Sequence, residues 1–217
     1  MAFDKNVFIN CPFDDIYLNT LLKPMLFVLV KHGLTPRLAL EDSDSSQFRL
    51  EKIVELIKDS KYSIHDLSNI KSNGRNFCRM NMPFELGIDY GIKVNSRTHL
   101  AEKKFLILEG KLHSYNKAIS DIKGFDIKHH DYQTEKIVNC IRTWLYETLG
   151  FSTLETSKHL WFQFIDFNSN LFDKKEQEYL SKHHFSAAKA QLLAKDHVEK
   201  MPVAEYIAIL KNSDLMP

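Results

Sequence analysis

Apolar and polar positions follow two rhythms along the chain, and the switches between them predict the elements. VFINC, residues 7–11, is a short run of β-formers that reads as a buried strand stopped by Pro12. A helix is expected over Asp15 to His32, kinked at Pro24, with Gly33 just past its end. PRLAL, residues 36–40, predicts a second strand, and the acidic EDSDSS after it a loop. Leu50, Ile53, Val54 and Ile57 stand at i, i+3, i+4 and i+7, the apolar stripe of an amphipathic helix that Ser45 or Ser46 would cap. YSIHDL (62–67) predicts a third strand, and a polar loop then leads to a helix starting near Pro83. KFLIL (104–108) reads as a fourth strand, and Phe125 to Ile127 as a fifth. Ile137, Ile141, Trp144 and Leu145 mark another amphipathic helix, ending at Gly150.

Strand and helix thus alternate five times with short connections. That order implies an α/β fold, a flavodoxin-like parallel sheet with helices on both faces. The domain is expected to span residues 1–150, followed by a helical C-terminal extension over 151–217. In that extension, residues 153–172 and 173–201 read as two helices and MPVAEYIAILKN as a third. Trp161, Phe162, Phe164, Ile165, Phe167, Leu171 and Phe172 cluster there, a pattern expected to pack on the main domain or to form a self-association surface.

Composition narrows the function classes. The net charge is +1, so electrostatics gives no reason to expect nucleic-acid or membrane-surface binding. Cys11, Cys78 and Cys140 are far apart and form no CxxC pair, which argues against a disulfide framework or a zinc site. The N-terminus lacks the pattern of a signal peptide, and the most apolar stretch, Leu21 to Val30, is too short to span a bilayer and contains Lys23 and Pro24. A cytoplasmic location is expected. Neither GxGxxG nor GxxxxGK[ST] occurs, and His129-His130 and His183-His184 are adjacent pairs that do not face one ligand.

In an open parallel sheet, ligands bind outside the carboxyl ends of the strands. The segments at that rim are CPFDD (11–15), Glu41 to Ser46, HDLS (65–68), Glu109-Gly110, and the helix start bearing Glu85. With Met82 as N-cap and Pro83 at N1, Glu85 would stand at N3, where the helix dipole favours a carboxylate without any substrate. The chemical alternative is that Glu85 stabilises or captures the oxocarbenium-like carbon formed when an N-glycosidic bond breaks. One carboxylate suffices if nicotinamide leaves, because it departs neutral from a cationic ring; a purine needs a proton from an acid. Asp66 either turns the chain and caps nearby N–H groups or holds a ribose hydroxyl. Phe13 either folds onto the core or stacks on a base, and Arg49 either lies solvated or contacts a phosphate. Cys11 has no assignable histidine partner to make it a nucleophile.

VFINCPFD, RLEKIVELIKDSKYSIHDLSN and NMPFELGIDYG, in that order, resemble the TIR-like domains of bacterial defence systems and the related nucleoside 2-deoxyribosyltransferase superfamily. The likeness spans residues 7–94. It places Glu85 of FELG in the catalytic position and Asp66 at the acidic position after the third strand. Two pieces depart from the pattern: Pro-Phe precedes Glu85, and EDSDSSQF stands where the usual loop follows the second strand. The resemblance implies an NAD+ nucleosidase, an antiphage-defence effector or toxin with NAD as substrate, no cofactor and no metal. The alternatives it leaves open are a nucleoside or nucleotide 2-deoxyribosyltransferase or hydrolase, and a non-enzymatic nucleotide-sensing or interaction module. The expected substrate-binding set is Asn10, Pro12, Phe13, Asp42, Arg49, Asp66 and Met82. The expected partners are a small nucleotide and either a second copy of the chain or an activating protein.

Overall fold

A computed structural model describes residues 2–41, 43–69, 80–117 and 119–213. Five parallel strands form one sheet in the order β2-β1-β3-β4-β5: β1 Asn6–Asn10, β2 Thr35–Arg37, β3 Tyr62–Asp66, β4 Lys104–Glu109 and β5 Ile127–His129. This is the flavodoxin-like order. Side chains alternate across the pleat, so Val7, Ile9, Ile64, Leu106 and Leu108 share one buried cluster while Phe8 belongs to another on the opposite face. The first face is covered by α2 (Lys23–Lys31) and α5 (Thr134–Glu147), the second by α3 (Arg49–Lys58) and α4 (Asn81–Asn95). The chain leaves β1 toward one face and β2 toward the other, which makes the gap above β1 and β3 the switch point of the sheet.

The expected helix from Asp15 onward is present but composite. Asp14 caps α1 (Asp15–Tyr17), accepting from the Tyr17 amide at 3.0 Å, and a π-helical turn, Leu18–Leu22, joins it to α2. Pro24 cannot donate to the carbonyl four residues back, that of Thr20; Thr134 Oγ1 donates to it instead at 3.0 Å. The cap of α3 differs from expectation. Phe48 holds that position, because the Ser46 amide and hydroxyl are both committed to Asp44, at 2.9 and 2.8 Å. The second strand begins one residue earlier and ends sooner than expected, and the fifth lies two residues later.

Beyond Gly150, which takes a positive φ of 81°, three helices follow: α6 Ser157–His183, α7 Ala187–Lys200 and α8 Val203–Lys211. The expected break near residue 172 does not occur. Residues 173–183 contain no glycine or proline, and α6 runs on until His184 adopts a left-handed conformation. These helices complete the main core rather than forming one of their own. Leu160, Phe164, Leu171, Tyr206 and Leu210 belong to the same buried cluster as the strands, α2 and α5. The Phe27 ring meets Phe164 at 5.8 Å and Phe167 at 5.9 Å. Of the aromatic-rich segment, Phe162 and Ile165 remain 48% and 41% exposed, so packing claims most of that cluster but leaves an apolar edge. No helix among the described residues is long and apolar enough to cross a membrane.

A continuous core predicts that Leu160→Ala, at a side chain with 0% exposure, costs about 2–5 kcal/mol in urea denaturation. Unfolding should stay a single transition, followed through Trp144 fluorescence and far-UV circular dichroism together. Two separate transitions would mean that the C-terminal helices fold apart from the sheet.

Candidate active site

Asn10, Cys11, Pro12, Phe13 and Asp14 run from the end of β1 along one wall of a cleft of about 640 Å³. Arg49 at the start of α3 and Met80, Asn81, Met82 and Glu85 at the start of α4 line the rest. The cleft therefore opens at the switch point, outside the carboxyl ends of the strands. Its volume falls in the range of about 300–1,000 Å³ typical of small-ligand sites. The Arg49 guanidinium lies 5.9 Å from the centre of the Phe13 ring, so a cation and an aromatic face meet at the rim.

Glu85 does not occupy the position its motif suggested. Helix α4 starts at Asn81 with Met80 as N-cap, which puts Met82 at N2, Pro83 at N3 and Glu85 at N5. Proline is tolerated there because no residue of the first helical turn has an intrahelical acceptor for its N–H. Glu85 is thus in the second turn, too far along to cap the helix. It lies on the same side as the buried Met82 and Asp89, three and four residues from it. Its carboxylate is half-buried and receives no hydrogen bond from a described residue. Burial pushes its pKa up to about 7, against a smaller lowering by Arg49.

Four other rim carboxylates are engaged. Asp14 caps α1 and accepts from Asn69 Nδ2 at 3.2 Å. Glu41 takes Arg37 Nε at 3.0 Å and the Leu38 amide at 2.6 Å. Glu109 is fully buried and gathers the loop after β4, accepting from the His113 amide at 2.6 Å, Ser114 Oγ at 3.0 Å and the Tyr115 amide at 3.2 Å. Asp66, expected to hold a ribose hydroxyl, is also fully buried and does not line the cleft. It accepts from Tyr17 Oη, from the Ser68 amide at 2.8 Å and from His130 Nε2 at 2.9 Å. Burial alone would raise the Asp66 pKa; the hydrogen bonds from His130, Ser68 and Tyr17 outweigh that and hold it below the usual range. Its role here is structural.

Ser68, His130 and Asp66 have the composition of a hydrolytic triad but not its wiring. His130 Nε2 faces both Ser68 Oγ, at 3.0 Å, and Asp66, while His130 Nδ1 accepts the Tyr132 amide at 3.1 Å. With Nδ1 an acceptor, the imidazole proton sits on Nε2 and no base faces the serine. His130 is therefore a buried partner of Asp66. Cys11 lines the cleft, yet burial and the nearby Asp66 and Glu85 charges push its thiol well above the ordinary value, which rules it out as a thiolate nucleophile.

Asn10, Pro12, Phe13, Arg49, Met82 and Glu85 all line the one cleft, although they span residues 10 to 85 of the chain. Asp66 lies apart from it, and Asp42 falls outside the described residues. Asp14, from a segment expected at the rim but not in the binding set, lines the cleft too, as do Met80 and Asn81, which were not expected there. Asp14 is visible in the sequence only as the third residue after the strand-ending Cys11; Met80 and Asn81 emerge only once α4 is seen to begin before Pro83. Among the described residues, no group of histidine, cysteine and acidic side chains could hold a metal ion. Comparison with protein-family models, curated proteins and solved structures returns no match.

Two substitutions should move stability in opposite directions. The folded state binds the Glu85 proton more tightly than the unfolded chain, so wild-type stability falls as pH rises from about 4.5 to about 7. Glu85→Gln removes that penalty. Thermal or urea unfolding should find it more stable than wild type at pH 8, by on the order of 1–2 kcal/mol after allowing for solvent at the open side, and equal to it near pH 4. Asp66→Asn weakens the buried hydrogen bonds from Tyr17, Ser68 and His130 and should cost about 1–3 kcal/mol at pH 7 in the same measurement.

Proposed function

We propose that the protein is an N-glycosidase that cleaves the nicotinamide–ribosyl bond of NAD, with Glu85 as the group that meets the ribose C1′. The observation that carries this reading is the state of the Glu85 carboxylate: partly desolvated, without a hydrogen-bonding partner among the described residues, and on the wall of a cleft at the switch point. The carboxylates at that rim that serve the fold are hydrogen-bonded; this one is held at a cost. Such a cost is intelligible where a ligand supplies the missing partner. The order of motifs over residues 7–94 supports the same reading.

In this reaction the C1′–N bond breaks and its electron pair goes to the ring nitrogen, which loses its positive charge. Nicotinamide leaves neutral and needs no proton. The Glu85 carboxylate stabilises the developing positive charge at C1′ or bonds to it; water then attacks C1′, displaces the carboxylate where it has bonded, loses a proton to solvent and yields ADP-ribose. Phe13 offers a face for stacking a ring, and Arg49 offers its charge to the pyrophosphate. Neither metal nor redox cofactor enters these steps.

The raised pKa of Glu85 favours one competing reading. A carboxyl group that titrates at about 7 is protonated for half of the molecules at neutral pH and can serve as a general acid for a purine leaving group. The site would then belong to a nucleoside hydrolase or a deoxyribosyltransferase.

The pH profile separates the two. Purified protein incubated with NAD should release nicotinamide, with kcat/KM rising about tenfold per pH unit below 7 and levelling above it, because the ionised carboxylate is required. A rate that falls above pH 7, with purine nucleosides as the better substrates, would favour the acid role. Glu85→Gln should lower kcat by at least about 10²-fold while NAD still binds. Equal activity in wild type and Glu85→Gln would remove Glu85 from the mechanism.

A further inference from the structure

Behind the cleft runs a chain of buried polar groups that fixes the orientation of one lining side chain. Asn10 Nδ2 donates to the Met82 carbonyl at 2.9 Å and lies 3.2 Å from His65 Nδ1. His65 Nε2 is 3.1 Å from Asp89 Oδ2, and Asp89 Oδ1 is 3.3 Å from Lys103 Nζ. Lys103 also donates to the Ile57 carbonyl at 2.7 Å and to that of Ser60. His65, Asp89 and Lys103 are fully buried, and Asn10 is 3% exposed.

One assignment of protons satisfies every link. The Met82 carbonyl only accepts, so the Asn10 atom facing it is the amide nitrogen; a flipped amide would set two carbonyl oxygens 2.9 Å apart. The second Asn10 hydrogen points at His65 Nδ1, which must then carry a lone pair. The imidazole proton sits on Nε2 and is donated to Asp89, whose charge Lys103 balances. Both Asn10 hydrogens are thereby spent inward. Its Oδ1 is left without a hydrogen-bond donor among the described residues, on a side chain that lines the cleft. That oxygen can only accept, so the group it recognises must be a donor.

We propose that Asn10 Oδ1 accepts a hydrogen bond from a hydroxyl of the ribose whose C1′ faces Glu85, and that the cleft therefore selects ribosyl over deoxyribosyl substrates. The proposal rests on the ribosyl-cleaving reading of the cleft. The Asn10–Met82 bond ties the acceptor to the same turns of α4 that carry Glu85, so the hydroxyl it reads belongs to the sugar at the bond being cleaved. When a deoxy ligand binds, water is displaced and Oδ1 is left unpaired, which is what makes such a site discriminate.

The test measures binding by calorimetry in the Glu85→Gln protein, which leaves the ligand uncleaved. The ligands are NAD, its analogues lacking the 2′- or the 3′-hydroxyl on the nicotinamide ribose, and an analogue with acetyl in place of the carboxamide. NAD should bind about tenfold tighter than one of the two deoxy analogues. Asn10→Ala should reduce that ratio to near one; the ratio is the readout, because losing the Met82 bond lowers affinity for every dinucleotide alike. Equal affinity for NAD and both deoxy analogues overturns the proposal without any Asn10 variant, and so does a ratio that survives in a folded Asn10→Ala protein. A loss confined to the acetyl analogue would assign Oδ1 to the carboxamide and also overturn it. If none of the dinucleotides binds, the NAD reading fails, and this inference with it.

Discussion

A single hydrogen bond, from the Asn10 amide to the Met82 carbonyl at 2.9 Å, joins the end of β1 to the first turn of α4 across 72 residues of chain. The geometry of the cleft depends on it. β1 and the turn after it deliver Asn10, Pro12 and Phe13, and α4 delivers Met82 and Glu85. The bond holds only while the Asn10 amide keeps its orientation, which the neutral His65 enforces, which Asp89 and Lys103 enforce in turn. A buried lysine and a buried aspartate cost desolvation energy that a hydrophobic pair would avoid. Their contribution lies in geometry: they pin α4 in register against the sheet, and with it the carboxylate that this helix carries.

Four carboxylates at the rim serve the fold, and Glu85 differs from them. Asp14, Glu41, Asp66 and Glu109 close loops and cap helices, each through donors a few residues away or across the sheet. Asp66 is the extreme case, with a hydroxyl, an amide and an imidazole converging on it so that burial does not neutralise it. Glu85 has the same chemistry in the opposite circumstances. It has lost solvent and gained no hydrogen bond from a described residue, and its proton affinity rises accordingly. Folding alone would favour glutamine there, so its presence is better explained by what enters the cleft than by what surrounds it.

The sheet order, the switch point and six of the eight candidate residues were legible in the sequence because they depend on local pattern. Strands end where Pro12 and Asp66 stand, and the rim segments follow from those ends. What was not legible depends on contacts distant in sequence. Asp66 reads as a sugar-binding candidate because it ends the third strand at the rim, while its partners, Tyr17 and His130, lie 49 and 64 residues away. The helix register was misread because proline is common at the first helical position, yet Pro83 sits at the third, where it costs no hydrogen bond. Lys103 and Asp89 carried no sequence signal, since both residue types are normally exposed. The C-terminal helices were visible as helices, but their share in the main core was not, because an apolar stripe does not name the surface it will cover.

Substrate charge and the ionisation of Glu85 are coupled under the proposed reading. A cationic nicotinamide ring near the carboxylate opposes the desolvation that raises its pKa, so binding favours the ionised form. By reciprocity, the ionised form binds the cation more tightly by the same factor. A neutral nucleoside gains nothing from this coupling and meets a carboxyl that is half protonated at pH 7. A single desolvated glutamate thus provides its own selectivity: the ligand able to ionise it is also the one whose leaving group needs no acid. On that proposal, the free protein bears the cost of a carboxylate in an unfavourable place, and a positively charged substrate would relieve it beside the bond to be broken.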